Sequence, residues 1–418
     1  MNKVTIIFPG QASQYVGMGK KYYDKYESVR ERFEEASEIL GFDLAKLCFE
    51  GPTKDLVQTQ NAQVAIFVLS FAMFEVIQKE ENVQADYLAG HSLGELSALA
   101  ASGAFSFKDG VRIVYTRGQA MAKCTQGGMS AVTKLSVDYV LNLLKEIDLE
   151  SMNVEIANYN APYQTVLTGS KEGLKEVGEY LTKSGAKVVS LNVSGAFHSK
   201  YMLGAAEELS KVLNEVEIKE MKIPVMCGLE GRLYTNDDDI REALIKQLTG
   251  PVHWSTVVQK LDELGTKLWI EVGPKDVLKK LINRNIEQVE AYAYEKEEDL
   301  EGIQKALARI EEVKKQMPNL IGLCLGAAVA TRNTNWDEQA YTEGVVKPYK
   351  SITSIFDQVA KEDRKPNEVE MRQALELLKL IFDTKGVSVE EQKQRFKSIL
   401  EYSESEALFP EYESLKEE

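Results

Sequence analysis

The sequence predicts an α/β fold, with a mainly parallel sheet layered by helices, a small ferredoxin-like insert and a helical C-terminal extension. Three observations predict it. Strand-like and helix-like segments alternate through residues 1–127, the rhythm of parallel βαβ units. Residues 128–193 change to a β-α-β-β-α-β order, that of a ferredoxin-like unit. And "GHSLG", residues 90–94, puts a serine between two glycines where a strand-like run becomes a helix-like one, the pattern of a nucleophile elbow.

In chain order, "VTIIF" (4–8) reads as a strand, "AIFVLSFAMFEVIQK" (65–79) as a buried helix and "ADYLAG" (85–90) as a strand. "LGELSALAASG" follows as a helix stopped by Gly103. In the insert, "GMSAVTKL" is a strand and "VDYVLNLLKEI" (137–147) a helix. "NVEIANY" and "QTVLTGS" are strands around the turn "NAPY", "KEGLKEVGEYLTKSG" is a helix and "KVVSLNVSG" a strand. The α/β rhythm resumes with "IPVMCGL" (223–229) and "KLWIEVGP" (267–274). "EKEEDLEGIQKALARIEEVKKQ" (295–316) reads as a charged linking helix ended by Pro318, and "EVEMRQALELLKLIFDTKG" as a helix with Gly386 as its stop. The expected division is a core of 1–127 and 199–295, an insert of 128–198, and a linker and extension of 296–418. No internal repeat or low-complexity tract is evident.

Composition narrows the function. The 418 residues are 44% hydrophobic and carry a net charge of -15 spread along the chain, which argues against nucleic acid and anionic membranes as partners. Cys48, Cys124, Cys227 and Cys324 are far apart and form no C-x-x-C pair, so reduced cytoplasmic thiols are expected, without a zinc site. "MNKVTIIFPG" is too short an apolar run for a signal peptide. "NLIGLCLGAAVA" (319–330) is too short to span a bilayer.

The elbow glycines allow a tight turn that exposes the Ser92 hydroxyl, and the following helix aims its first N–H groups at the same place. A serine needs a base, and the chain has three histidines: His91, His198 and His253. His91 adjoins Ser92 and diverges from it. His198, in a loop past a strand, is favoured. His253, in "GPVHWSTVV", reads as a capping or core histidine. No acid stands at a triad spacing, which leaves a backbone or amide oxygen to orient the imidazole. Arg117, in "VRIVYTRGQAMAK", is a further candidate that residue chemistry alone does not separate from Arg112.

Seven stretches in order, "FPGQASQYVGMG" (8–19), "TQNAQ" (59–63), "GHSLGE" (90–95), "TRGQAM" (116–121), "GAFHSKYM" (195–202), "QLTGPVHW" (247–254) and "EVGP" (271–274), make residues 1 to about 295 resemble the malonyl-CoA:acyl carrier protein transacylases. The resemblance implies an α/β-hydrolase-like core carrying a ferredoxin-like insert. It implies Ser92 as nucleophile, His198 as base and the Gln247 carbonyl as the group that orients it. It implies the Gln11 and Leu93 N–H groups as oxyanion hole and Arg117 as the clamp on the malonyl carboxylate. Gln63, Met121, Asn160 and Phe197 match positions in or behind the pocket. The implied donor is malonyl-CoA and the acceptor an acyl carrier protein bearing phosphopantetheine, with no metal or other cofactor. "AFH" is more similar to the malonyl-type acyltransferases of polyketide synthases than to fatty-acid enzymes, with Phe197 disfavouring an added methyl by about 1–3 kcal/mol. The tail, through "GAAVATRNTNWDEQAYTEGVVKPY", resembles the extension of stand-alone acyltransferases serving polyketide synthases, as a buttress or a docking element.

Three other readings compete. An acyl hydrolase that clears stalled carrier proteins lacks arginine at the position of Arg117. A non-catalytic docking protein has no need of Ser92, His198 and Arg117. A lipase or esterase wants an acid–histidine pair. An acidic chain serving an acidic carrier is expected to have a locally basic rim, with Lys200 as a candidate member.

Overall fold

The computed structural model describes residues 3–316, 319–362 and 364–412. The chain forms two compact units, 1–307 and 308–418. The boundary falls inside the helix Glu297–Gln316, and not at residue 295. Pro318, read as the stop of that helix, lies outside the described residues.

The first unit is built on a parallel sheet of β1 (Lys3–Phe8), β2 (Tyr87–Gly90), β7 (Thr266–Glu271) and β8 (Glu290–Ala293), in the order β2-β1-β7-β8. β1 is central, and Ile6, Ile7 and Phe8 are fully buried, as a strand covered on both faces requires. Its register sets Phe8 opposite Gly90 of β2 and Ile7 opposite Glu271 of β7. "IPVMCGL" does not form a full strand. Val225 bridges Leu88 in parallel at one point, and Met226 then turns to pair with Leu233. Pro224 has no N–H to continue a ladder.

The helix Thr59–Glu80 is buried from Val64 to Ile77 except at Glu75. Among the described residues it is the one helix long and apolar enough to cross a membrane, and its side chains are committed to the core. A cis peptide joins Gly51 to Pro52.

The insert is a second, antiparallel sheet of β3 (Gly128–Thr133), β4 (Val154–Ala161), β5 (Gln164–Gly169) and β6 (Lys187–Ser190). Its order is β4-β5-β3-β6, the ferredoxin-like arrangement. The helices Val137–Leu144 and Lys171–Lys183 cover it through Val140, Leu143, Leu174, Val177 and Leu181 packed on Val132 and Leu167. Both helices start at a serine N-cap, Ser136 and Ser170, which satisfies one of the unpaired first-turn donors.

The second unit is helical, with Leu320–Ala330, Lys347–Lys361, Glu368–Lys385 and Val389–Ser403 as its main elements. Leu375, Leu378, Phe382, Phe396 and Phe409 lie in one apolar core. Asn367 and Glu370 form a capping box, and Gly386 closes the third helix in the left-handed conformation.

Candidate active site

Two glycines create the turn that carries Ser92. A Cβ on Gly90 would lie 1.9 Å from the Gly94 carbonyl carbon, and one on Gly94 would lie 1.9 Å from the Phe8 oxygen. The helix Leu93–Ser102 therefore starts in backbone contact with β1 and β2. The cost is borne at Ser92, held at φ 53° and ψ -104°. A non-glycine residue there stores roughly 1–3 kcal/mol of strain, which the surrounding packing must offset. The reward is a half-buried hydroxyl held at the mouth of a helix N-terminus. Among the described residues neither the Gln11 nor the Leu93 N–H donates to a protein acceptor.

His198 reaches the serine from the loop 191–199, after β6 ends at Ser190. It too has positive φ, 58°. Ser92 Oγ and His198 Nε2 are 2.8 Å apart, and His198 Nδ1 is 2.8 Å from the Gln247 main-chain oxygen. Nδ1–H thus donates to the carbonyl, which leaves Nε2 to accept the serine proton. Gln247 lies in the last turn of the helix Asp237–Thr249, where carbonyls have no partner further along the helix. That end is also the negative pole of the helix dipole, suited to an imidazolium formed in passing. Burial first, then the Arg117 charge, lowers the His198 pKa to about 3.

Arg117 comes from the helix Phe107–Lys123 and is 1% exposed. Gly118 lets this helix meet the helix Thr59–Glu80 closely, since a Cβ there would lie 2.8 Å from Gln60 Cα. The crossing brings Gln63 to the guanidinium. Arg117 Nη1 donates to Gln63 Oε1 at 2.7 Å, and Nη2 donates to Ser92 Oγ at 3.1 Å and Gln247 Oε1 at 3.0 Å. Burial lowers its pKa to about 10, against the pull of Glu95, so it remains a cation at neutral pH. Arg112, the residue the sequence could not separate from it, pairs at the surface with Asp109 and Glu215.

Gln63 Nε2 also contacts Met121 Sδ at 3.2 Å and Gln11 Oε1 at 3.4 Å, and Gln11 Nε2 reaches Thr59 Oγ1 at 3.3 Å. Asn160 Oδ1 is 2.9 Å from His91 Nε2, so His91 faces away from the serine into the pair with Asn160. Phe197 is buried beside His198 in the chain. His253 stands at the N-cap of the helix Trp254–Glu263 without a side-chain cap bond, its ring stacked on Tyr159.

Residues 5–314 match the acyl transferase domain family. The chain belongs to that family. A malonyl CoA-acyl carrier protein transacylase of Bacillus subtilis is 31% identical to this acyl transferase over 395 residues, 94% of the chain and 99% of the relative. A second enzyme so named, from strain 168, is 38% identical over 316 residues, 75% of the chain and 98% of the relative. The polyketide biosynthesis malonyl CoA-acyl carrier protein transacylase PksC of that strain is 38% identical over 69% of the chain and 99% of its own length. Among solved structures, the malonyl CoA-acyl carrier protein transacylase of Clostridium perfringens superposes with a TM-score of 0.71 at 34% identity, covering 75% of this chain and all of that one. A transacylase solved in complex with a type II polyketide synthase acyl carrier protein superposes at 0.70 and 32% identity, covering 73% and 99%. The α/β class predicted from sequence is that of these acyl transferases.

The sequence reading missed Glu95 and Tyr234. Glu95 is 1% exposed, and its Oε1 accepts from the Gly228 N–H at 2.9 Å and from the Tyr234 hydroxyl. Its Oε2 accepts from Gln247 Nε2. The glutamate closing "GHSLGE" was the available signal.

Proposed function

We propose that this acyl transferase moves a malonyl group from malonyl-CoA to the phosphopantetheine thiol of an acyl carrier protein through an acyl-serine. The observation that carries this reading is the buried guanidinium of Arg117, 3.1 Å from Ser92 Oγ. Malonyl differs from acetyl by one carboxylate. A buried cation beside the nucleophile recognises that group, with a charge-assisted bond of about 1.5–3 kcal/mol, roughly 10- to 150-fold in selectivity.

Ser92 Oγ attacks the thioester carbonyl while His198 Nε2 takes its proton. The Gln11 and Leu93 N–H groups receive the oxyanion. The C–S bond breaks, His198 returns the proton to the CoA sulfur, and CoA leaves. The carrier's thiol then gives its proton to His198 and attacks the acyl-serine, and Ser92 is regenerated by the same proton. No metal or redox cofactor enters. Asn160 and Met121 shape the pocket, and Phe197 disfavours a methyl-branched donor. The free thiols of Cys48, Cys124, Cys227 and Cys324, with a CoA thioester as donor, support a cytoplasmic setting. The names of PksC and of the carrier complex favour polyketide assembly as the setting.

The carrier's side of the reading rests on the insert. Lys171, Lys175 and Lys183 line a groove of about 730 Å³ between their helix and β6, with Glu179 as its one acid. Among the described residues these lysines make no ion pair, in a chain of net charge -15. Leu191, exposed just past the end of the edge strand β6, lines the same groove at the start of the loop bearing His198. Lys200, named from sequence, is exposed and donates to Asn153 Oδ1.

Mixing the enzyme with malonyl-CoA and a holo carrier protein tests the reading. Malonyl should appear on the carrier with wild type and not with Ser92→Ala. Free malonate with an unloaded carrier would instead support the editing hydrolase.

A further inference from the structure

Gln247 holds the site at two levels. Its main-chain oxygen orients His198, and its side-chain amide lies between a buried cation and a buried acid. Oε1 accepts from Arg117 Nη2 at 3.0 Å, while Nε2 donates to the Ser92 main-chain oxygen at 3.2 Å and to Glu95. An amide has two orientations of nearly equal shape. The reverse one would aim NH2 at the guanidinium, donor against donor, and carbonyl oxygen at Glu95, acceptor against acceptor. Every group bonded to the Glu95 carboxylate is a donor: the Gly228 N–H, the Tyr234 hydroxyl and the Gln247 amide. That set suits the ionised, acceptor-only form. Burial pushes the Glu95 pKa up, while those donors and the Arg117 charge pull against it.

We infer that Glu95 is a positioning residue for the carboxylate clamp. Held by Tyr234 and the Gly228 N–H, it fixes the Gln247 amide so that Oε1 faces Arg117. It also supplies the guanidinium's counter-charge from one amide away. Among the described residues the guanidinium donates to Gln63, Ser92 and Gln247 and to no acid. A carboxylate in direct contact would grip the guanidinium fork bidentately and compete with an incoming carboxylate. Set behind Gln247, Glu95 favours the buried cation and leaves the edge beside Ser92 for substrate. A buried arginine with no counter-charge would be strongly disfavoured, and one with a directly bound carboxylate would already be occupied.

This inference deepens the malonyl reading and rests on it. It is tested by acylation rates with malonyl-CoA and acetyl-CoA, followed by intact-protein mass, for wild type, Glu95→Gln, Gln247→Met and the double variant. Gln247→Met keeps the main-chain carbonyl that orients His198 and removes only the amide. In Glu95→Gln the malonyl rate should fall at least 10-fold more than the acetyl rate, and Gln247→Met should show the same bias. Because the positioning acts through that amide, Glu95→Gln should change the ratio much less when added to Gln247→Met than it does alone, only its counter-charge part remaining. Equal falls in the two rates, or independent multiplying effects on the ratio, would overturn the role. If Glu95→Gln does not fold, Gln247→Met with Tyr234→Phe decides by the same ratio, both biased for the inference and both unbiased against it. Absence of any malonyl adduct on wild type would sink the transferase reading itself, a separate failure.

Discussion

Arg117 in the unit 1–307 and Lys385 in the unit 308–418 are both buried cations, 1% and 5% exposed, and they use their charge differently. Lys385 Nζ donates to the main-chain oxygens of Ala328 and Thr331, at the end of the helix Leu320–Ala330. It caps carbonyls that the helix leaves without partners. Arg117 donates only to side-chain oxygens, one of them the Ser92 hydroxyl. The first cation completes a fold, and the second stands beside the hydroxyl proposed as nucleophile. Around Arg117 the buried polar groups Gln63, Glu95, His198 and Gln247 form one network, whereas the core of the second unit is apolar. The relatives divide along the same line. One Bacillus subtilis transacylase aligns over 94% of the chain, and the other, over nearly its whole length, covers 75%. The residues proposed for the chemistry thus all lie in the first unit, and the second is a helical body with its own apolar core.

Gly94→Ala forces a Cβ to within 1.9 Å of the Phe8 oxygen, so it should cost about 3 kcal/mol or more and abolish acylation. A stable, active variant, seen by thermal melting and intact mass, would show that the elbow is not held as described. Arg117→Ala should lower malonyl acylation roughly 10- to 150-fold with a smaller effect on acetyl. Lys385→Met should do the opposite. It should destabilise the second unit by about 1–3 kcal/mol through the unpaired carbonyls, measured in urea, with the acylation rate within about 2-fold of wild type, the scatter of sites that share no partner. A large loss of acylation in Lys385→Met would erase the distinction between the two cations.

The pH profile sharpens the role of Arg117. With His198 as the proposed base, acylation needs its ring neutral, and burial and the Arg117 charge lower its pKa to about 3. The rate should therefore stay level from pH 8 down to about 5, where an ordinary histidine of pKa about 6.5 would already be mostly protonated. Removing the neighbouring cation raises the His198 pKa, so Arg117→Ala should move the acid limb to higher pH. The same limb in both proteins would contradict the coupling. The smallest effect is expected at the insert. Reversing Lys171 and Lys175 to Glu should raise KM for the carrier several-fold at low salt and leave acylation by malonyl-CoA unchanged, the behaviour of rim charges.

Much of this was legible in local pattern. β1, β2 and the elbow helix follow from period and glycine spacing, and Gly103 and Gly386 stop their helices in the left-handed conformation as read. The insert's order of elements was visible because each has its own periodicity and cap. What the sequence hid depends on packing. "IPVMCGL" has a strand's composition, yet its pairing ends after one bridge. Arg112 and Arg117 look alike until one helix face is known to be covered. Nothing in the local pattern marks Glu95, in the first turn of the elbow helix, as buried. Only the return of Gly228 and Tyr234 over it makes it a buried carboxylate tied to Gln247.

The most direct test of the central claim is the intact mass of the protein after brief mixing with malonyl-, methylmalonyl- or acetyl-CoA, for wild type, Ser92→Ala and Arg117→Ala. The account predicts a malonyl adduct on wild type, none on Ser92→Ala and a much slower one on Arg117→Ala. A malonyl adduct that survives Ser92→Ala, or that forms as fast without the guanidinium as with it, would contradict it.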